Sequence, residues 1–208
     1  MPFVRKPPAA AAAPEPGAVE VLQALRSANP AERWTAARAA AAVVGGAASL
    51  AAALRAETES HVRAALFTSL ARIGTPESTA ELLSLLRSDQ SDLRTGALDA
   101  LRTAGAKSRE FLPPLLQDPD PDVRTLSCEL ARALPAEEAS PMLCALLTDE
   151  QDENVCAAAI DVLAEVGNPA ACAVLARCAA RFPHSPFLGF AVKIATDRIT
   201  SASDRPRD

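Results

Sequence analysis

Apolar residues along this chain recur at helical spacing, and they recur at the same places from one stretch to the next. Four segments align without a gap through their first helix, beginning at Val62-Arg63, Leu93-Arg94, Val123-Arg124 and Val155-Cys156. The spacings are 31, 30 and 32 residues. Four positions after the second member of each pair stand Phe67, Leu98, Cys128 and Ile160. Seven positions after come Leu70, Leu101, Ala131 and Leu163, and ten after come Ile73, Ala104, Leu134 and Val166. Offsets of −1, +4, +7 and +10 trace one face of an α-helix. Eleven positions after stands a helix breaker, Gly74, Gly105, Pro135 or Gly167. A second helical stretch follows in each segment, with its own core column of Leu85, Leu116, Leu146 and Cys178. Pro113-Pro114 must kink or shorten the second helix of its segment.

The two ends are less regular. Residues 17–28, GAVEVLQALRSA, place Val19, Leu22 and Leu25 at helical spacing and predict an N-terminal capping helix. Asn29-Pro30 reads as an N-cap followed by proline at the first helical position. A degenerate first repeat comes next. Its cap aligns Arg33 with the later arginines, whereas Gly45 as the breaker favours Trp34. Asp120-Pro121-Asp122 fits N-cap, N1 and N2, where the helix dipole favours carboxylates. Residues 185–200 predict one last capping helix. A repeat near 30 residues built of two helices is the signature of an α-solenoid. The expected architecture is all-α: a superhelix of about five two-helix repeats over residues 17–200. A Pro/Ala-rich arm at 1–16, expected to be disordered or to serve as a docking peptide, precedes it. A polar tail at 201–208 follows.

Composition supports the helical reading. Alanine and leucine carry the apolar fraction, aromatics are 3%, and there is no tyrosine. β-branched residues are too sparse for a substantial sheet. No apolar run reaches the roughly 18–20 residues of a membrane span. The start, MPFVRKPPAAAAAPEPG, does not read as a signal peptide, because its alanine stretch is short, weakly hydrophobic and bracketed by prolines. The expected location is the cytoplasm. An Ala/Arg-rich, Lys-poor composition associates with GC-rich bacterial genomes.

Charge narrows the partner. Between Asp118 and Glu165 there are 12 acids against two bases, Arg124 and Arg132. Such a field repels phosphate backbones, so no nucleic acid is expected there. A protein with a basic surface facing the 118–165 region fits better. The other reading is a solvated ridge of helix caps.

Catalytic and metal chemistry leave little trace. The five cysteines, Cys128, Cys144, Cys156, Cys172 and Cys178, include no CxxC, and an odd number argues against a full disulfide framework. Cys128 and Cys178 share columns with Phe, Leu and Ile, and read as small buried hydrophobes. Cys172 stands in a polar column with Thr79, Glu110 and Ser140, and Cys156 stands in the arginine column. Those two are the candidates for exposed thiols. His61 and His184 are far apart in the repeat order and make no zinc spacing. No phosphate loop, dinucleotide fingerprint or nucleophile elbow is present. No catalytic residue, metal ligand or cofactor is assigned, and the reading leans away from an enzyme. One cluster is unusual: RFPHSPFLGF gathers Phe182, Phe187 and Phe190. It is read as a plug for the open end of the stack, with an aromatic anchor for a partner or a second copy as the alternative.

The segments DPDPDVRTLSCELARAL, ESHVRAALFTSLARIG and ERWTAARAA carry a resemblance. They are similar to short HEAT repeats of the kind seen in phycocyanobilin lyase subunits and their bacterial relatives. The shared pattern is a loop Asp or Asn, a hydrophobic residue, Arg, an Ala-rich helix and a closing Gly. It covers roughly residues 17–200. The resemblance implies that Arg33, Arg63, Arg94 and Arg124 are structural and tie a loop carboxylate to its neighbour. The pattern departs where Cys156 replaces the arginine, and again in the last helix, where Leu188 is aligned with it.

Three functions follow as expectations. The first is a non-enzymatic protein-interaction scaffold or adaptor. It would hold a partner along a polar groove of second helices lined by Glu77, Thr79, Ser84, Arg87, Glu110, Glu138, Ser140 and Arg177. The second, implied by the resemblance, is a subunit like the phycobilin lyases. Few aromatic groups are available to hold a large conjugated ligand. The third is a HEAT-type DNA-binding protein, which would need a basic, aromatic groove.

Overall fold

The computed structural model describes residues 17–203 and consists of helices throughout that span. The helices are α1 (Ala18–Ala24), α2 (Pro30–Ala40), α3 (Gly46–Ala56), α4 (Ser60–Ile73), α5 (Pro76–Leu85) and α6 (Ser91–Ala104). A 3-10 helix, Gly105–Phe111, leads into the single turn α7 (Leu112–Leu115). Then come α8 (Pro121–Ala131), α9 (Ala136–Asp149), α10 (Glu153–Val166), α11 (Ala171–Arg181) and α12 (Pro186–Ser203). The arm at 1–16 and the tail beyond 203 lie outside the described residues, and the last helix runs into the stretch expected to be tail.

Five consecutive helix pairs stack in two layers. The first helices α2, α4, α6, α8 and α10 pack each on the next, and α12 closes the row against α10. The second helices α3, α5, the 3-10 turn with α7, α9 and α11 form the other layer. One continuous apolar core runs through the stack from Val21 to Ile199. No single pair of such helices can bury its apolar face alone, so each repeat is stable only against its neighbours.

Three first helices, α2, α8 and α10, start alike because their caps are alike, whereas Glu59 and Gln90 before α4 and α6 make no side-chain cap. Asn29, Asp120 and Asp152 side chains accept from backbone N–H groups of the first turn, at 3.0 Å from Ala31, 2.9 Å from Asp122 and 2.8 Å from Asn154. Pro30 and Pro121 sit at the first helical position, where a missing N–H costs nothing. The ends differ. Gly105 follows α6 with φ 60° and ψ −126°, a conformation open to glycine and strained for any other residue. Pro135 does not end α8, which stops at Ala131; it caps α9 instead.

The register of the first and last repeats is set by the caps. In every first helix the arginine-column residue donates its N–H to the N-cap carbonyl: Arg33 to Asn29, Arg63 to Glu59, Arg94 to Gln90, Arg124 to Asp120 and Cys156 to Asp152. Arg33, not Trp34, therefore holds that place in α2. In α12 the residue that donates to Ser185 is Gly189. Leu188 thus falls one place earlier, in the buried column of Val62, Leu93, Val123 and Val155. The alignment that put Leu188 in the arginine column was off by one, because the loop before α12 differs in length.

The open end is closed by aliphatic residues, not by the phenylalanines. Leu188, Val192, Ala195 and Ile199 bury the inner face of α12. Phe187 and Phe190 are each 64% exposed, so they do not plug the stack, and Phe182 packs only partly against the core. They occupy positions that carry small or polar residues in the preceding repeats, such as Asn154 and Ala157 in α10. The column that holds Phe67 in α4 holds exposed Lys193 in α12, so α12 presents a polar side where a further repeat would stack.

Candidate interaction surface

The arginine column is a set of fixed struts. Arg33 Nη1 donates to the Ser27 carbonyl at 2.9 Å, Arg63 Nη2 to Glu57 at 2.6 Å, Arg94 Nη1 to Ser88 at 2.7 Å and Arg124 Nη1 to Asp118 at 2.8 Å. Each reaches the carbonyl six residues before it and so holds the loop between repeats. Two of the four also form fork-to-fork pairs with a glutamate at the end of their own second helix. Arg33 meets Glu57 at 2.8 and 2.9 Å, and Arg124 meets Glu150 at 2.7 and 3.0 Å. Both glutamates turn their other capacity to the loop. Glu57 Oε1 accepts from Thr58 and Glu59 N–H, and Glu150 Oε1 accepts from Gln151 and Asp152 N–H.

These contacts move the proton equilibria. The Arg33 hydrogen bonds hold the Glu57 carboxyl down to about 2, against the opposing effect of burial. At Glu150 burial pushes the carboxyl up, but Arg124 and the two N–H groups together keep it below its ordinary value. In the second repeat Ser88 stands where a carboxylate would, and Arg63 finds only Asp92 at 3.4 Å.

In the fifth repeat Arg181 replaces the missing arginine. It comes from the end of α11 and donates to the carbonyls of Leu147 at 2.5 Å and Glu150 at 3.2 Å. Cys156 lies beneath it, fully buried, with Sγ 3.8 Å from the same Glu150 carbonyl. The expectation that Cys156 is an exposed thiol is therefore corrected. Its hydrogen bond with Cys178, with burial added, pushes the thiol far up and keeps it protonated. Burial also pushes Cys128 up, to about 12. Cys144 and Cys172 are both half-buried, so Cys172 is not fully exposed.

The second-helix layer carries the polar face. Glu77, Ser84, Arg87, Glu110 and Arg177 are exposed there. Ser84 accepts from Arg55 Nη2 at 2.8 Å, and Arg109 pairs with Glu138 at 2.6 Å across one repeat junction. Arg87 pairs with Asp118 across another. Thr79 and Ser140 do not belong to this face. Both are buried, Ser140 against the neighbouring repeat, where Asn168 N–H donates to its Oγ at 3.3 Å, whereas Glu110 of the same column lies on the 3-10 helix and is exposed.

Two clefts open in this layer, at α1/α3 and at α7/α9. In both places the preceding element is short and shares little contact with its neighbour. No group of three or more metal-type ligands occurs among the described residues, and no helix there is long and apolar enough to cross a membrane.

A stack of helix pairs strutted by arginines, in two layers around one continuous core, defines an α-solenoid. The chain belongs to the HEAT-repeat family, whose pattern matches residues 18–102 and 109–186. The interval between the two matches falls on the 3-10 turn. The chain is similar to an archaeal HEAT-like repeats protein from Thermococcus onnurineus NA1, with 15% identity, 88% of this chain and 87% of that chain covered, and a TM-score of 0.49. It is similar to an engineered protein at 21% identity, covering 88% and 96%, with a TM-score of 0.43. It is also similar to the complex of CpcE and CpcF of phycocyanin lyase from Nostoc sp. PCC7120, at 17% identity, covering 95% and 100%, with a TM-score of 0.38. No curated protein matches the chain.

Proposed function

We propose that this protein is a non-enzymatic scaffold or adaptor that holds another protein along its second-helix face. The observation that carries this reading is the set of exposed polar side chains along the second-helix layer, Glu77 and Ser84 on α5, Arg87 just after it, Glu110 on the 3-10 helix and Arg177 on α11, on a frame strutted by arginines. Side chains set one repeat apart read an extended partner through distributed contacts rather than through one pocket. The acid excess between Asp118 and Glu165 favours a partner with a basic surface. Within that stretch Arg124 pairs with Glu150, and Arg132 with Glu129, Asp161 and Glu165, so the excess is carried by the remaining acids, exposed Asp122, Glu137 and Asp149 among them.

The test is affinity capture with the full chain, followed by binding measurement on the purified pair. A stoichiometric protein partner whose affinity falls with salt supports the reading. A coloured eluate, or a small-molecule adduct on Cys172, contradicts it in favour of chromophore handling.

A further inference from the structure

The second-helix layer is interrupted once between complete repeats. Pro113 and Pro114 leave α7 a single turn, and α7 lies apart from α9. The gap is a cleft of about 620 Å³. Its apolar lining is Leu116, Met142, Ala145 and Leu146. Three carboxylates and one arginine complete it: Asp118 and Glu150 are buried beside Arg124, and Asp149 is exposed at the rim. Two of these carboxylates already hold arginines, Asp118 with Arg87 and Glu150 with Arg124. Asp149 is exposed and is the last residue of α9. The negative end of the α9 dipole therefore adds to its charge.

We propose that this cleft takes a lysine or arginine side chain from an extended segment of a partner protein; the proposal rests on the scaffold reading above. Charge complementarity selects the occupant. A long basic side chain lays its aliphatic stem on apolar surface and carries its charge to the rim. Leu116, Met142 and Leu146 receive the stem, and Asp149 with the carboxyl end of α9 receives the cation. Met142 is unbranched and adapts to either stem. An acidic segment meets repulsion from the rim. The α1/α3 cleft is no equivalent, because two arginines, Arg26 and Arg33, line it with the single carboxylate of Glu57, whereas the α7/α9 cleft sets three carboxylates against Arg124 alone.

The experiment uses the full chain and a short fluorescein-labelled peptide alternating leucine and lysine. A matched peptide with glutamate for lysine is the control. Fluorescence anisotropy is followed at physiological salt. The lysine peptide binds and the glutamate peptide does not. Asp149→Lys, which reverses the rim, and Ala145→Phe, which fills the floor, each weaken binding by about tenfold or more. Asp197→Lys, on exposed α12 outside both the cleft and the second-helix face, makes the same change of net charge and leaves binding within about twofold of wild type. Circular dichroism confirms that each variant is folded. Equal weakening by Asp149→Lys and Asp197→Lys overturns the proposal, because the attraction is then diffuse. Absence of binding to the lysine peptide also overturns it. A partner captured as above that binds Asp149→Lys and Ala145→Phe as tightly as wild type refutes the cleft and leaves the scaffold reading standing.

Discussion

Phe67 of α4 lies directly on Gly96 of α6: a Cβ added at Gly96 would stand 2.2 Å from Phe67 Cε2. The glycine sits inside a 14-residue helix, where it costs about 1 kcal/mol relative to alanine. That cost is accepted because it lets two first helices approach closely. The ring is 8% exposed, so it has no solvent to swing into. Gly96→Ala is expected to lower the unfolding midpoint, with overpacking of about 1–3 kcal/mol exceeding the helix-propensity gain. Phe67→Leu added to it restores most of the loss. Thermal denaturation of the single and double variants checks this, and a raised midpoint for Gly96→Ala shows that the close approach is not needed.

The Arg124–Glu150 fork ties the first helix of the fourth repeat to the end of its second. Its side chains are 16% and 5% exposed. Arg124→Met leaves Glu150 buried without its cation, and is expected to cost about 3 kcal/mol in urea denaturation. Arg124→Met with Glu150→Gln is expected to recover part of that, because no buried charge remains. A single variant as stable as wild type removes the strut from the account.

Acid acts through Glu57. Its carboxyl titrates at about 2 in the folded chain against an ordinary value of 4.5. Between those values the unfolded chain binds more protons than the folded one. The stabilisation is thus present above about pH 4.5 and is lost as pH falls toward about 2. Stability measured against pH for wild type and Glu57→Gln checks this. The wild-type curve falls more steeply across that window, and parallel curves contradict the assignment.

The cysteines sort by access. Cys144 and Cys172 react with a thiol reagent in the native protein, while Cys128, Cys156 and Cys178 react only as the chain unfolds. Mass spectrometry after brief labelling reads the sites directly. Cys156→Arg, which imposes the repeat pattern, is expected to destabilise the fold. The Glu150 carbonyl it would seek is already held by Arg181, and the position is fully buried. A stabilised Cys156→Arg variant shows that the two arginines do not compete.

Much of this fold was legible in the sequence because the columns repeat. Val62, Leu93, Val123 and Val155 announce a buried stripe four times over, and Asp120-Pro121 announces a helix start by its own chemistry. What escaped was set between elements. Thr79 and Ser140 are polar and read as surface residues, but the fold buries both, while Glu110 of the same column stays exposed. Cys156 stood in a column of part-exposed arginines, and only the fold brings Arg181 over it from 25 residues later. The phenylalanines of α12 suggest a plug by their apolar character, whereas the aliphatic Leu188, Val192, Ala195 and Ile199 form its buried side. Pro113-Pro114 marked a shortened helix, but the cleft it opens depends on where α9 lies.

The central claim is that a protein partner is held along the second-helix face. The most direct measurement compares capture by wild type with capture by a Glu77→Lys, Glu110→Lys, Arg177→Glu variant, whose substitutions are all on exposed positions of that face. The account predicts a folded variant that loses the partner recovered by wild type. Equal recovery by both proteins would contradict it.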